Sequence, residues 1–342
     1  MENKRTEISA LGEFGLIEHL TEDCEIRNAS TLLSIGDDAA VIDTFGKQMV
    51  VSTDMLVEGV HFDLTYMPLK HLGYKAVAVN LSDLYAMFAT PTQITVSLAI
   101  SNRFSVESLD ELYDGIKLAC QRYGIDIVGG DTTSSMSGLV ISITAIGEVE
   151  ENTFVNRSGA QLHDLICVSG DLGAAYMGLL VLEREKKIFL ENPTVQPQLG
   201  QNTYILERFM KPEPKATIIK TLKQHAITPT SMIDISDGLS SELNHIAKQS
   251  ACGVLIYEDK IPIHEQTRAQ CEEFNIAATT AALNGGEDYE LLFTVSANDF
   301  EKISAIQGIS IIGHTVAQGE GLKLITNGDK KIDIPSQGWV GV

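Results

Sequence analysis

The sequence is short of positive charge. It sets 25 Lys and Arg against 46 Asp and Glu, a net charge of −21 over 342 residues. That balance argues against wrapping a nucleic-acid backbone, which takes many cations to displace counterions. It leaves phosphate substrates open, provided divalent cations bridge acid to acid. Cysteine is scarce and odd in number: Cys24, Cys120, Cys167, Cys252 and Cys271, with no CxxC pair. A reduced cytoplasmic protein fits this better than a disulfide framework does. The longest apolar run, AAYMGLLVL, falls far short of the ~20 residues of a spanning helix, and MENKRTEISALGEFG lacks the apolar core of a signal peptide. No membrane partner is expected. Several catalytic signatures are missing too. No GxxxxGK[ST] loop occurs, since Gly46-Lys47 lacks the upstream glycine and the following hydroxyl residue. There is no GxSxG elbow, no HExxH and no EF-hand spacing, so a dedicated calcium site is not expected.

What is present has an α/β rhythm. Period and punctuation predict a helix from about Gly12 to Leu20, strands at Leu32–Ile42 and Met49–Thr53, and a helix in MPLKHLGYKAVAVNLSDLYAMFA. QITVSLAIS reads as a strand. Ser105 reads as the N-cap of VESLDELYDGIKLACQRYG, with Gly124 closing that helix. IDIVGGD and LVISITAIGEV are strand-like. After a polar stretch at 150–156 the rhythm restarts with LICVSG, AAYMGLLVLEREKK, ATIIKTLKQHA and SSELNHIAKQS, while residues 190–200 read as an irregular loop. Two domains are therefore expected, 1–150 and 151–342.

Six stretches place acids among small residues at strand ends or inside a helix: GDDAAV (Asp37, Asp38), VVSTDML (Asp54), AVNLSDLYA (Asp83), VGGDTTSS (Asp131), MIDISDGLSS (Asp234, Asp237) and LNGGEDYELLF (Glu287, Asp288). Small neighbours let backbone and carboxylates approach a ligand closely. Asp83 is the most informative, because a carboxylate in an apolar helix is costly unless paired or bound to metal. For any single member a turn or N-cap aspartate is the simpler reading; six together favour metal. Oxygen donors without clustered Cys or His point to magnesium, which characteristically bridges carboxylates to substrate phosphates. SGDLGAAYMG resembles a phosphate turn, but its spacing is not GxGxxG, and a close-packed strand-to-helix turn is the better reading.

In order, GDDAAV, STDMLVEGVHF, KAVAVNLSDLYAM, GGDTT, NRSGA, DISDGLSSEL and GGEDYEL resemble the thiamine-monophosphate kinase family, within the aminoimidazole ribonucleotide synthetase superfamily. The resemblance runs from Gly12-Glu13-Phe14 to Gly338-Trp339. It implies an α/β (α+β) two-domain fold: an N-terminal α/β domain that binds metal and ATP and whose sheet forms a dimer interface, and a C-terminal α/β domain that completes the nucleotide and substrate site. It implies ATP-dependent phosphorylation of thiamine monophosphate to thiamine diphosphate, with several magnesium ions, in a homodimer. Matched motif by motif, Asp38, Ser52, Thr53, Asp54, Asp83, Asp131, Asp234 and Asp237 are the implied magnesium ligands. Tyr113, Gly130, Asp131, Arg157 and Ser236 are the implied ATP contacts, and His61, Glu287 and Trp339 the implied thiamine phosphate contacts. No catalytic general base is expected, because the acceptor phosphate is already largely ionised at neutral pH, with a second pKa near ~6. The rivals are another ATP-dependent enzyme of the superfamily and a non-catalytic acidic protein that holds divalent cations. The sequence favours neither: Cys24 sits in a context unrelated to a reactive selenophosphate-synthetase cysteine, and the chain ends GWVGV where the hydrogenase-maturation relative ends in a modifiable cysteine.

Overall fold

The structure is a computed structural model describing residues 6, 16, 19–33 and 41–335. Asp37, Asp38, Trp339 and most of the helix expected at 12–20 lie outside the described residues. The chain divides into two compact units, one of residues 1–84 and 89–154, the other of residues 85–88 and 155–342.

In the first unit, strands β1 (Thr31–Leu33) and β2 (Val41–Ile42) pair antiparallel with each other. The single strand expected over Leu32–Ile42 is thus corrected, since one continuous strand cannot pair with itself. A four-stranded sheet follows, in the order β3-β6-β4-β5, from β3 (Gln48–Val57), β4 (Thr90–Ile100), β5 (Asp126–Ser134) and β6 (Leu139–Val149). β5 runs parallel to β4, and the other pairs are antiparallel. Strict alternation in β6 buries Leu139, Ile141, Ile143 and Ala145 on one face.

Two helices serve that buried face. Helix α1 (Leu69–Ala86) is buried nearly all round, which is why its apolar run carries no polar stripe. Helix α2 (Val106–Tyr123) is amphipathic and buries Leu109, Leu112, Ile116 and Cys120 at helical spacing. Its ends are as the sequence predicts: Ser105 Oγ accepts from Ser108 N at 3.4 Å, and Gly124 closes the helix at φ 70°. The helices cross through glycine. A Cβ on Gly73 would lie 2.0 Å from the Leu112 carbonyl oxygen, and one on Gly115 1.9 Å from that of Lys70. At the start of β5 the buried Asp126 accepts from Arg27 N (2.6 Å), Asn28 N (3.0 Å) and Thr31 Oγ1 (2.6 Å), tying the 27–31 segment to the sheet.

The second unit is built on a seven-stranded sheet in the order β13-β12-β9-β11-β7-β10-β8. Its strands are β7 (Leu165–Ser169), β8 (Ser231–Asp234), β9 (Cys252–Tyr257), β10 (Leu291–Val295), β11 (Ile309–Ala317), β12 (Leu322–Ile325) and β13 (Lys331–Asp333). All neighbours are antiparallel except β12 with β9. The helices are α3 (Ala174–Glu191), α4 (Thr203–Met210), α5 (Ala216–Gln224), α6 (Leu239–Ser250), α7 (Glu265–Glu273), α8 (Ala278–Asn284) and α9 (Phe300–Ser304). Ile166, Val168, Ile233, Leu243, Ile256 and Leu292 anchor one core cluster. The unit also takes in residues 85–88: Val155 N donates to Met87 O at 3.2 Å, and Lys223 Nζ stands 4.9 Å from the Phe88 ring centre. Among the described residues, no helix is long and apolar enough to cross a membrane.

Candidate active site

β3 carries candidate site residues on both faces. Alternation turns Ser52, Asp54 and Leu56 toward α1 and leaves Val51, Thr53 and Met55 exposed on the open face. Ser52 Oγ donates to Asp83 Oδ2 at 2.5 Å, and Asp54 N donates to Asn80 Oδ1 at 3.0 Å. Asn80 and Asp83, three residues apart in α1, share one helix face. The Asn80 amide is fixed in turn by donating to Ala76 O at 3.0 Å. Sequence reasoning missed Asn80, although its signal was present: two polar residues at helical spacing within AVNLSD.

Burial, and after it the Asp83 carboxylate, pushes the Asp54 carboxyl well above the usual carboxylate range. A divalent cation would relieve that repulsion, and hard oxygen donors suit magnesium. Among the described residues no three acidic, histidine or cysteine side chains converge closely enough to hold an ion on their own. Magnesium is characteristically held by one or two carboxylates plus water and substrate phosphate, so the Ser52–Asp54–Asp83 group fits it on those terms.

Asp131 is not brought to this group. Register places it in a row with Ser97, Ser142 and Met55, on the open face and on the edge strand opposite β3. Three inter-strand spacings of about 4.8 Å, roughly 14 Å in all, separate the two edges. Thr53 shares the open face; it accepts from Thr144 Oγ1 at 3.0 Å and donates to Ile143 O at 3.1 Å. Gly130 has a packing reason of its own, since a Cβ there would lie 1.8 Å from Val96 O. His61 follows β3 and accepts from Val57 N through Nδ1 at 3.1 Å, which places the neutral ring's proton on Nε2. Tyr113 lies on the buried face of α2, where burial pushes its hydroxyl pKa up.

In the second unit, β8 ends at the buried Asp234, and Ser236 and Asp237 occupy the turn before α6. Asp237 N donates to Glu242 Oε1 at 3.0 Å. Burial raises the Asp237 carboxyl, while His245 and then Arg157 pull it down, so the exposed Arg157 lies within electrostatic reach of it. Burial pushes Glu242 up to about 8, and its Oε2 is buried without a hydrogen-bond partner among the described residues. An orphaned acceptor beside two aspartates suits a hydrated cation.

The Gly285–Tyr289 loop packs on this turn: Glu287 N donates to Ser236 O at 2.7 Å and Tyr289 N to Ile235 O at 2.9 Å. Glu287 (φ 57°) and Tyr289 (φ 50°) are left-handed, a conformation that costs on the order of 1–3 kcal/mol per non-glycine residue. The SGDLG turn proves to be packing and not a phosphate loop. The Asp288 carboxylate already sits at the N-terminus of α3, and a Cβ on Gly173 would lie 2.9 Å from the Ala281 carbonyl carbon.

Residues 36–149 match the family model described as AIR synthase related protein, N-terminal domain. Thiamine-monophosphate kinase of Bacillus subtilis (strain 168) is 35% identical over 292 residues, covering 85% of this chain and 86% of the relative. The chain belongs to the thiamine-monophosphate kinase family. A solved member of that family, AaThiL complexed with AMPPCP and TMP, superposes with a TM-score of 0.75 at 31% identity, covering 99% of each chain. The hydrogenase maturation protein HypE, in complex with ATP, superposes at a TM-score of 0.73 over 93% of this chain and 94% of its own, at 19% identity; that likeness shows the shared fold alone. Thiamine-monophosphate kinases thus supply both the near sequences and a liganded structure with the same architecture.

Proposed function

We propose that this chain catalyses direct, magnesium-assisted phosphoryl transfer from ATP to thiamine monophosphate, the last step in making thiamine diphosphate. The observation that carries the reading is the Ser52–Asp54–Asp83 group, set on β3 and α1 in a chain that superposes along its length on a kinase holding AMPPCP and TMP. Asp38, Ser52, Thr53, Asp54, Asp83, Asp131, Asp234 and Asp237 hold magnesium, and Glu242 backs Asp237. Tyr113, Gly130, Asp131, Arg157 and Ser236 bind ATP, and His61, Glu287 and Trp339 bind thiamine phosphate. Bound magnesium neutralises the two anionic reactants and the charge that develops on the transferring phosphoryl group. The protein's own work is positional. Asn80 fixes the Asp54 main chain, Ser52 orients Asp83, and the left-handed backbone at Glu287 presents an anion to the cationic thiazolium ring of the acceptor. The acceptor oxygen needs no base, which suits a site rich in aspartate.

The working protein is a homodimer. Val51 and Met55 are 62% and 55% exposed on the open face, and β3 and β5 are the edge strands of their sheet. A second copy covers such a face and its edges. It also brings its own Asp131 to Thr53, the ligand on the open face of β3 that this chain's Asp131, an edge away, does not approach. The two-unit division supports domain roles of metal and ATP binding for the first unit and of nucleotide and acceptor binding for the second. Free thiols in all five cysteines accord with a cytoplasmic setting.

The test is to incubate purified protein with ATP, thiamine monophosphate and magnesium. Thiamine diphosphate should form, should stop in excess EDTA, and should not form from unphosphorylated thiamine. Absence of product with magnesium present, or full activity in EDTA, sinks the reading.

A further inference from the structure

The second unit holds a group of buried charges that no role above uses. Along 287–290 the side chains alternate: Glu287 and Tyr289 are half-buried, whereas Asp288 and Glu290 are each 1% exposed. Asp288 Oδ2 accepts from Gly173 N at 2.7 Å and Oδ1 from Ala175 N at 3.4 Å, so a carboxylate distant in sequence caps α3. Arg208 Nη2, from α4, reaches the main-chain oxygens of Asp171 (3.1 Å) and Asp288 (3.3 Å) and pairs with Glu290 Oε1 at 2.8 Å. Glu290 is held further by Lys215 Nζ at 2.7 Å and Ser169 Oγ at 2.5 Å.

This attachment is stronger than a strand end needs, and it lies under a loop that resists its own conformation. Gly286, Glu287 and Tyr289 all have positive φ, two of them with side chains. Such backbone persists only where the surroundings over-determine it. On one side the loop is pinned by main-chain bonds to Ile235 and Ser236. On the other it is pinned by the Asp288 side chain and by Arg208 on the Asp288 carbonyl.

We propose that Asp288, seated on the N-terminus of α3 and covered by Arg208, is a positioning residue that holds Glu287 in its left-handed conformation and thereby sets affinity for the cationic ring of the acceptor. This rests on the reading of Glu287 as an acceptor contact. Asp288 touches no substrate. It acts through the one peptide unit that joins it to Glu287, so its effect falls first on what Glu287 binds. The Ser236 side of the loop has a further tether of its own, the register of β8 against β10 that pairs Asp234 with Leu291.

A double-mutant cycle with Asp288→Asn and Glu287→Gln tests this. Asparagine keeps the shape but replaces one acceptor oxygen with a donor facing the helix N–H groups. Asp288→Asn should raise KM for thiamine phosphate about tenfold and leave KM for ATP within about twofold; in the Glu287→Gln background it should add less than about twofold, because the group it positions is already gone. Equal effects in both backgrounds, or an equal rise in KM for ATP, would overturn the proposal in favour of plain structural support. If Glu287→Gln alone leaves KM unchanged, the acceptor reading of Glu287 fails first, and this proposal falls with it. Should Asp288→Asn not fold, Arg208→Lys decides by the same cycle. It keeps the charge but withdraws the Nη2 that reaches both carbonyls, and it must show the same dependence on Glu287.

Discussion

At the residue scale, the pair to remove is Asp54 and Asp83. Asp54→Asn and Asp83→Asn keep volume and lose charge, so each should lower kcat about a hundredfold or more while thermal stability stays or rises, because mutual repulsion is relieved. Circular dichroism melts beside activity assays check this; a variant that loses activity only by unfolding would refute the metal role. Asp83 was legible from sequence, since a carboxylate in an apolar helix is costly unless paired or bound to metal. Asp54 was legible from its strand end and small neighbours. Asn80 was not read, because a single amide in an apolar helix passes for a satisfied core residue until its bond to Asp54 N is seen. Asp131 was read as a member of the cluster, yet its edge and face follow only from strand order, which no local pattern encodes.

At the element scale, the crossing of α1 and α2 gives a mutation of unusual sign. Glycine in an ordinary exposed helix is improved by alanine, by about 1 kcal/mol. Gly115→Ala should instead destabilise by about 3 kcal/mol or more, because its Cβ would meet the Lys70 carbonyl and force the helices apart. Urea unfolding measures this, and an unchanged midpoint would show that the helices yield easily. The first turn of α2 carries a pH-dependent clamp. Both Glu107 oxygens accept from Thr6 N at 3.0 Å, and the Thr6 side chain, followed by this main-chain N–H, lowers its pKa to about 2. A depressed carboxylate contributes above its unfolded value, 4.5 here, and that contribution is lost as pH falls toward 2. Exchange of the Thr6 amide should therefore be slow near neutral pH and, once corrected for intrinsic rates, lose protection between about pH 4 and pH 2, a loss that Glu107→Gln removes. The capped helix α2 was legible from its stripe, Ser105 and Gly124. Helix α7 was not, for EQTRAQCEE buries only Thr267 and Cys271 and so has no apolar stripe to read. Helix α8, at seven residues, is too short to show a period.

At the scale of the whole molecule, a light-scattering mass of twice the chain is expected at micromolar concentration, and a mass of one chain would remove the proposed role of the open sheet face. The opposite-edge placement of Asp54 and Asp131 has a consequence for inheritance. If each copy lends its Asp131 to the other's β3, a copy damaged at Asp54 and a copy damaged at Asp131 are defective in different halves of one pair. Co-expressed, half of the dimers are mixed, and each mixed dimer keeps one intact centre of two, so two silent alleles should together restore about a quarter of normal activity. Such alleles would complement within a single gene, and a geneticist counting complementation groups would find two genes where the chromosome holds one.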